Sequence, residues 1–416
     1  MAPVKVLMLA QTYAPVHGGE ERLVEDLSVR LAARGHEVAV ATLRQPVGEP
    51  PARDDGVRVH LLDSSVHQIP GIPVHEERRY AAPLPDPRTT AQLRRVLREE
   101  RPDVVHAHNW LVDSYLPLAK RAAPPLLMSL HDYSLLCPTK RLFLDGAVCS
   151  GPGARKCLAH SFEFYGTGKG AMVGVGTRLA EPWLRRRVDM FLSVSSAVEE
   201  LCRVEGSTPH RVIPNFVGEL PPAPPEAEEA LAVLPDEPFV LFFGDVGEDK
   251  GAGLLIEAYR ELESPPPLVL IGRRVLPGLE PGDGIVAPGP MPHAVVIEAL
   301  RRSLFSVVPS IWAEPFGIVA LEAGAAGKAV VASDIGGLRD VVVDGETGLL
   351  VPPGDRGALR LALQRLLADP AERDRMGEGA QKRVQEAFSP EAVVPLFEDA
   401  YRAAIESRQA STSAAR

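Results

Sequence analysis

Two glutamates, Glu314 and Glu322, bracket the run Pro315-Phe316-Gly317-Ile318-Val319-Ala320-Leu321. A Pro-Phe-Gly opening starts a helix whose first N–H groups have no intrahelical partner. The partial positive charge gathered there favours phosphate and other anions. Glu314 falls at a strand-to-helix turn, where a carboxylate can accept hydrogen bonds from sugar hydroxyls. Glu322 stands five residues beyond Gly317, somewhat over one helical turn, within reach of a second diol such as a ribose. Helix capping or a solvated face would account for either acid taken alone.

Other candidates lie at other strand ends. Pro15-Val16-His17-Gly18-Gly19-Glu20 joins an apolar run to a helical pattern, and glycines there let a ligand approach the backbone beside a helix start. Gly244-Asp245-Val246-Gly247-Glu248-Asp249-Lys250-Gly251 follows a second apolar run, and His131-Asp132-Tyr133 a third. The pair His106 and His108 suggests metal, but with no carboxylate or cysteine partner nearby in sequence, packing is the preferred reading. Asn109 and Asp113 remain as residues to line an acceptor pocket. Cys137, Cys149, Cys157 and His160 fall in one loop-rich insert. Cys157-x-x-His160 has zinc-ligand spacing, whereas the intervals of eleven and seven residues match no standard finger. Reduced thiols and a disulfide are the alternatives.

These loops require a frame, and the hydropathy pattern supplies one. Apolar runs at 4–10, 36–42, 103–107, 126–130, 190–194 and 211–213 alternate with helical patterns at 89–99, 114–123 and 196–205. After a proline-rich stretch at 218–226 the grammar restarts, with strands at 239–243, 268–271, 305–309 and 329–332 and helices at 254–262, 317–326 and 358–367. Alternating helices and fully apolar strands mean parallel sheets covered on both faces. The expected fold class is α/β, with two doubly wound Rossmann-like domains facing a central cleft. The expected division is an acceptor-side domain at 1–216, a linker at 217–236 and a donor domain at 237–388. A terminal helix at 389–408 would pack back on the first domain, with a disordered tail at 409–416. Such sheets bind ligands beyond the carboxyl ends of their strands.

Glu314 through Glu322 resemble the E-x7-E motif of retaining glycosyltransferases of the GT4 family, which have the GT-B fold. The segments from Ala329 to Asp340 and from Asp344 to Val351 are similar to that family too. The resemblance implies a nucleotide-diphosphate sugar as donor, an acceptor hydroxyl, retention of configuration, and no required cofactor or divalent metal. It implies that Glu314 contacts sugar hydroxyls with help from the N–H groups of Phe316, Gly317 and Ile318, that Glu322 binds the ribose, and that Ser310 lies near the diphosphate. Gly18 and Gly19 match the first-strand glycine loop, His17 is an acceptor-side candidate, and His131 matches a strand-end histidine that bonds the sugar near its anomeric carbon. His131, Glu314 and Lys250 are thus the expected catalytic residues. The family carries arginine after the first glycine of the Gly244 loop and lysine before its last. Lys250 matches, Asp245 departs, and Arg273 or Arg274 is the nearest replacement cation.

Composition excludes other classes. With 45% hydrophobic and 24% charged residues the 416-residue chain reads as globular, and a formal charge of −10 argues against nucleic-acid binding. No apolar run reaches the roughly 18 residues that span a bilayer; four cysteines in a chain this size make no disulfide scaffold, so a cytoplasmic setting is expected. Arg178, Trp183, Arg185, Arg186 and Arg187 would suit a peripheral seat on anionic lipid, or simply a solvated helix face. Two rivals stand beside glycosyl transfer: an epimerase or phosphorylase on the same fold, and a non-catalytic nucleotide-sugar-binding protein.

Overall fold

Short apolar runs bounded by glycine and proline build two sheets in the computed structural model of the chain. It describes residues 2–16, 18–49, 53–68, 78–120, 122–204, 208–222, 227–273, 282 and 284–413. The first ten strands are β1 (Lys5–Ala10), β2 (Glu37–Leu43), β3 (Arg53–Asp54), β4 (Val57–Leu62), β5 (Val104–His108), β6 (Leu126–Leu130), β7 (Phe143–Leu144), β8 (Ala147–Val148), β9 (Met190–Ser193) and β10 (His210–Val212). Then come β11 (Val240–Phe243), β12 (Leu268–Ile271), β13 (Ile285–Gly289), β14 (Ser306–Val308), β15 (Val330–Ser333) and β16 (Gly348–Val351).

The chain divides into two compact units. One comprises Met1–Leu142, Ser150–Ile213 and Val394–Arg416. Its sheet runs β10-β9-β6-β5-β1-β2-β4-β3, parallel except where β3 meets β4. Leu7, Met8 and Leu9 of the central strand have no exposed surface, as a strand covered on both faces requires. Order reverses between β1 and β5, so the loops after those strands diverge at a switch point. Helix Gly19–Ala33 buries Leu23, Val24, Leu27 and Leu31 along one stripe.

Three expectations are corrected in this unit. The helix expected over 114–123 is the short Leu111–Tyr115, because Pro117 has no N–H and disfavours helical geometry in the residue before it. The insert expected to be loop-rich holds two helices, Ala154–Tyr165 and Thr167–Arg187. Glycines lower helix propensity in the second of them, but they permit close packing: a Cβ on Gly170 would stand 2.4 Å from the Ser161 carbonyl oxygen. The terminal helix, Pro390–Ser413, continues past Gln409, where a disordered tail was expected. Arg34 donates to both Glu398 oxygens of that helix, at 2.7 and 2.8 Å. Hydrogen bonds from Arg34 hold the Glu398 carboxyl down at about 2.

The other unit comprises Phe143–Cys149 and Pro214–Val393. Within the stretch expected to be a linker, Ala227–Leu231 is helical and buries its terminal residues. The all-parallel sheet runs β13-β12-β11-β14-β15-β16, and its order reverses between β11 and β14. Phe242, Leu255, Tyr259, Leu268, Leu270, Phe305, Val331, Leu363 and Met376 form its core. Each fully buried side chain of this size contributes roughly 1.5–3 kcal/mol relative to exposure.

Candidate active site

In the second unit, the loops after β11 and β14 meet at the switch point. Ile311 N–H donates to Asp249 O at 2.9 Å, tying the Lys250 loop to the segment that leads into Glu314. One carboxylate oxygen of Glu314, Oε1, accepts from Lys250 Nζ at 2.6 Å and from Ser310 Oγ at 2.8 Å. Lys250 Nζ also stands 4.7 Å from the centre of the Trp312 ring. Glu314 is 7% exposed, so two donors and restricted space fix its carboxylate. Gly337 N–H donates to Glu314 O at 2.7 Å, holding the main chain as well. Ser310, expected beside a diphosphate, is thus brought to the acid.

Gly317 caps helix Ile318–Ala325 from the left-handed region. Phe316 turns its ring into the core, edge-on to Phe388 at 5.9 Å, which leaves its main chain as the part a ligand could meet. Glu322 lies on that helix, 6% exposed, and accepts from His293 Nε2 at 2.8 Å. His293 opens helix His293–Arg302 and was not singled out from sequence. Asp245 is paired with Arg273, whereas Arg274 lies outside the described residues.

In the first unit, the loops after β1, β5 and β6 carry the candidates, with Gly18 as the extended cap of helix Gly19–Ala33. His17 lies outside the described residues. His131 Nε2 shares a hydrogen bond with His108 Nδ1 at 2.8 Å, and their rings stack at 5.1 Å. His106 completes the row, hydrogen-bonded to Ser129 Oγ and to Tyr401 OH, each at 2.8 Å. Burial pushes His131 down to about 4 and His106 to about 3, and holds His108 well below its ordinary value. The lowered values favour neutral imidazoles near pH 7.

Beside them, Asn109 donates through Nδ2 to Glu20 Oε1 and accepts from Lys140 Nζ at 3.0 Å. Lys140 stands 4.2 Å above the Trp110 ring. Burial and the neighbouring Glu21 raise Glu20 to about 8, so it is largely protonated at neutral pH. Neither Glu20 nor Lys140 was nominated from sequence. Asp113 has no exposed surface, and burial raises its carboxyl well above the usual range. It therefore lines no open pocket.

The cysteine insert does not assemble into a metal centre. Cys137 Sγ lies 3.3 Å from Thr139 Oγ1 and accepts from Leu142 N–H at 3.4 Å. Cys157 Sγ accepts from Gly153 N–H at 3.3 Å. No disulfide forms among the described cysteines, and no group of three or more His, Cys, Asp or Glu among the described residues is placed to hold a metal. The zinc reading of Cys137, Cys149, Cys157 and His160 is therefore not sustained. In the basic stretch, Arg185 donates to the Cys202 and Arg203 carbonyls at 2.9 and 3.0 Å, and Arg187 to that of Ala119 at 2.7 Å. Those two arginines tether the helix to its own unit. Among the described residues, no helix is long and apolar enough to cross a membrane.

Comparison with known proteins places this geometry. The model of the glycosyl transferase 4-like domain matches residues 18–215, and that of the glycosyl transferases group 1 matches residues 225–383. Fold and matches together define a glycosyltransferase acting on nucleotide sugars. The chain belongs to the GT4 family of GT-B glycosyltransferases. It is 29% identical to a glycogen synthase of Mycobacterium tuberculosis, over 96% of this chain and 95% of that one. It is also 29% identical to D-inositol 3-phosphate glycosyltransferase 1 of Catenulispora acidiphila, over 98% and 96% of the two chains. Among solved structures it resembles Anabaena HepE in complex with UDP-glucose, with a TM-score of 0.69 and 18% identity over 96% of this chain and 100% of that one.

Proposed function

We propose that the second unit binds a nucleotide-diphosphate sugar at the β11–β14 switch point and that transfer proceeds with retention at the anomeric carbon. Glu314 accepts hydrogen bonds from the sugar hydroxyls, and the N–H groups of Phe316, Gly317 and Ile318 face the diphosphate side. Lys250 moves from Glu314 onto the departing diphosphate, and Glu322, steadied by His293, accepts from the ribose diol. The observation that carries this reading is the convergence of Lys250 and Ser310 on one Glu314 oxygen, at 2.6 and 2.8 Å. It supports an acid already oriented and a cation one side-chain swing from a leaving group. Neutral His131 is read as a hydrogen-bond partner of the sugar, not as a charged group.

In the step itself, the bond from the anomeric carbon to the diphosphate oxygen breaks through an oxocarbenium-like centre. The acceptor oxygen bonds to the same face, and its proton passes to the departing diphosphate. Catalysis then consists of orientation and of stabilising the charge that develops on the leaving group. This reading calls for no divalent metal. The acceptor is left unassigned: relatives at equal identity carry names pointing to glycogen and to an inositol phosphate.

The test is slow cleavage of labelled UDP-, ADP- and GDP-sugars by the full chain, which Glu314→Ala should abolish. Tight donor binding without any turnover, in donors and acceptors alike, would favour passive binding. Calorimetry checks the cation: Lys250→Ala should weaken nucleoside diphosphate binding about ten-fold or more, the loss of one charge-assisted contact. Unchanged affinity would remove Lys250 from the site.

A further inference from the structure

Two loops leave the second unit's sheet side by side at the ends of β11 and β12. Gly244 N–H donates to Ile271 O at 2.9 Å, and Val246 N–H donates to Arg273 O at 2.8 Å. The strand ladder therefore continues past the strand ends and sets Asp245 beside Gly272 and Arg273. Only glycine allows this approach: a Cβ on Gly272 would stand 1.6 Å from the Gly244 carbonyl oxygen, and its φ is +152°. The loop also lies near the helix start, where a Cβ on Gly244 would come within 4.0 Å of Val319 Cγ2. Lys250 follows on the same loop, five residues after Asp245.

This backbone arrangement aligns a two-point contact. Arg273 Nε donates to Asp245 Oδ1 at 3.0 Å, and Nη2 donates to Oδ2 at 2.9 Å. The side chains are 71% and 38% exposed, and ion pairs this open add little stability. What the fork does fix is the plane and direction of the guanidinium. A guanidinium gripped along its Nε–Nη2 edge turns its Nη1 edge away from the carboxylate. The pair is neutral as a whole, with the guanidinium held in a fixed plane by two contacts.

We propose that Asp245 is a positioning residue that aims the Arg273 guanidinium at the diphosphate of the nucleotide sugar. The cation expected on the Gly244 loop is supplied from the neighbouring loop, and the acid that replaced it became its anchor. This inference rests on the donor-site reading above. It opposes the simpler view of Asp245 as a charge that repels phosphate, and the two views give opposite signs when that charge is removed.

The experiment is calorimetry on the full chain with UDP, ADP and GDP, carrying the tightest forward together with its nucleoside. Arg273→Ala should weaken the diphosphate about ten-fold and leave the nucleoside unchanged. Asp245→Asn should weaken the diphosphate about three-fold, with Asp245→Glu restoring part of the loss. The double variant should be no weaker than Arg273→Ala alone, because the two residues act as one unit. A loss shared by diphosphate and nucleoside would indicate a merely structural role and overturn the proposal. So would an Asp245→Asn variant that binds the diphosphate equally or more tightly. Lys250→Ala separates the two levels. If it weakens the diphosphate while the Asp245 and Arg273 variants do not, only this inference falls. If it too is silent, the donor-site reading falls with it.

Discussion

The two units present the same architectural feature, a switch point at the carboxyl ends of a parallel sheet, and fill it with opposite electrostatics. In the second unit, acids meet donors from other loops: Lys250 with Glu314, Arg273 with Asp245, and His293 with Glu322. In the first, ionisable groups lose charge by burial, as His106, His108 and His131 do on the basic side and Glu20 and Asp113 on the acidic side. The contrast fits the donor-site reading proposed above, in which the second unit meets a diphosphate. A diphosphate must be met by charge that can be redirected. Hydroxyls can be held by neutral hydrogen-bonding groups, which cost less to desolvate.

The largest expected effect tests this contrast through acid. Three imidazoles with lowered values bind protons more readily when unfolded, so their stability contribution is full above about 6.5 and is lost as pH falls toward 4 and 3. Glu20 and Asp113 work in the other direction, because the folded state keeps protons that the unfolded chain releases as pH rises, toward about 8 for Glu20. The imidazoles and the lowered Glu398 carboxyl act below 6.5, and the raised acids act above it. The first unit should therefore be most stable near pH 6.5 and lose stability on acidification. Hydrogen exchange resolved by unit checks this, and an equal acid loss in the second unit would erase the contrast.

Next in size, Glu314→Ala should lower the transfer rate about a thousand-fold, roughly 4 kcal/mol, while nucleoside diphosphate binding is kept. His131→Ala should lower kcat about a hundred-fold with donor affinity little changed. The wild-type rate should show no ionisation of His131 between pH 5.5 and 8, since its value lies near 4. A His131 titration in that window would place the residue on the charged side of the comparison. The smallest effect is expected of His293→Ala, a three-fold loss in nucleoside affinity, which is about 0.65 kcal/mol. Restoration by His293→Gln would show that the hydrogen bond to Glu322, rather than charge, is what matters.

Much of the frame was legible because buried parallel strands announce themselves as unbroken apolar runs; the run expected at 239–243 is β11, Val240–Phe243. The strands without an expectation were β3, β4, β13 and β16, which lie at or next to sheet edges, and β7 and β8, which pair only with each other; in such places the apolar signal weakens. The second helix after β8, Thr167–Arg187, was hidden by glycines that suppress propensity but allow close packing. Glu314, Lys250 and Ser310 could be named from their loops, whereas their convergence joins positions 64 residues apart. His293 carries no motif and is tied to Glu322 only through the fold. Asp245 was legible as a departure, but not as the partner of Arg273, because two adjacent loops create that pair.

The contact between Lys250 and Glu314 also bears on turnover. With no ligand bound, each is the other's counter-ion, so a bare phosphate would have to take the lysine and leave the acid without its cation. On the donor-site reading proposed above, a nucleotide sugar would bring hydroxyls for one and a diphosphate for the other, so that both needs are met together. After transfer the sugar would leave with the acceptor, and Glu314 would compete with the spent nucleotide for Lys250. On that reading the site would be guarded against small anions before the reaction and primed to expel its product afterwards, with a single ion pair serving both ends of the cycle.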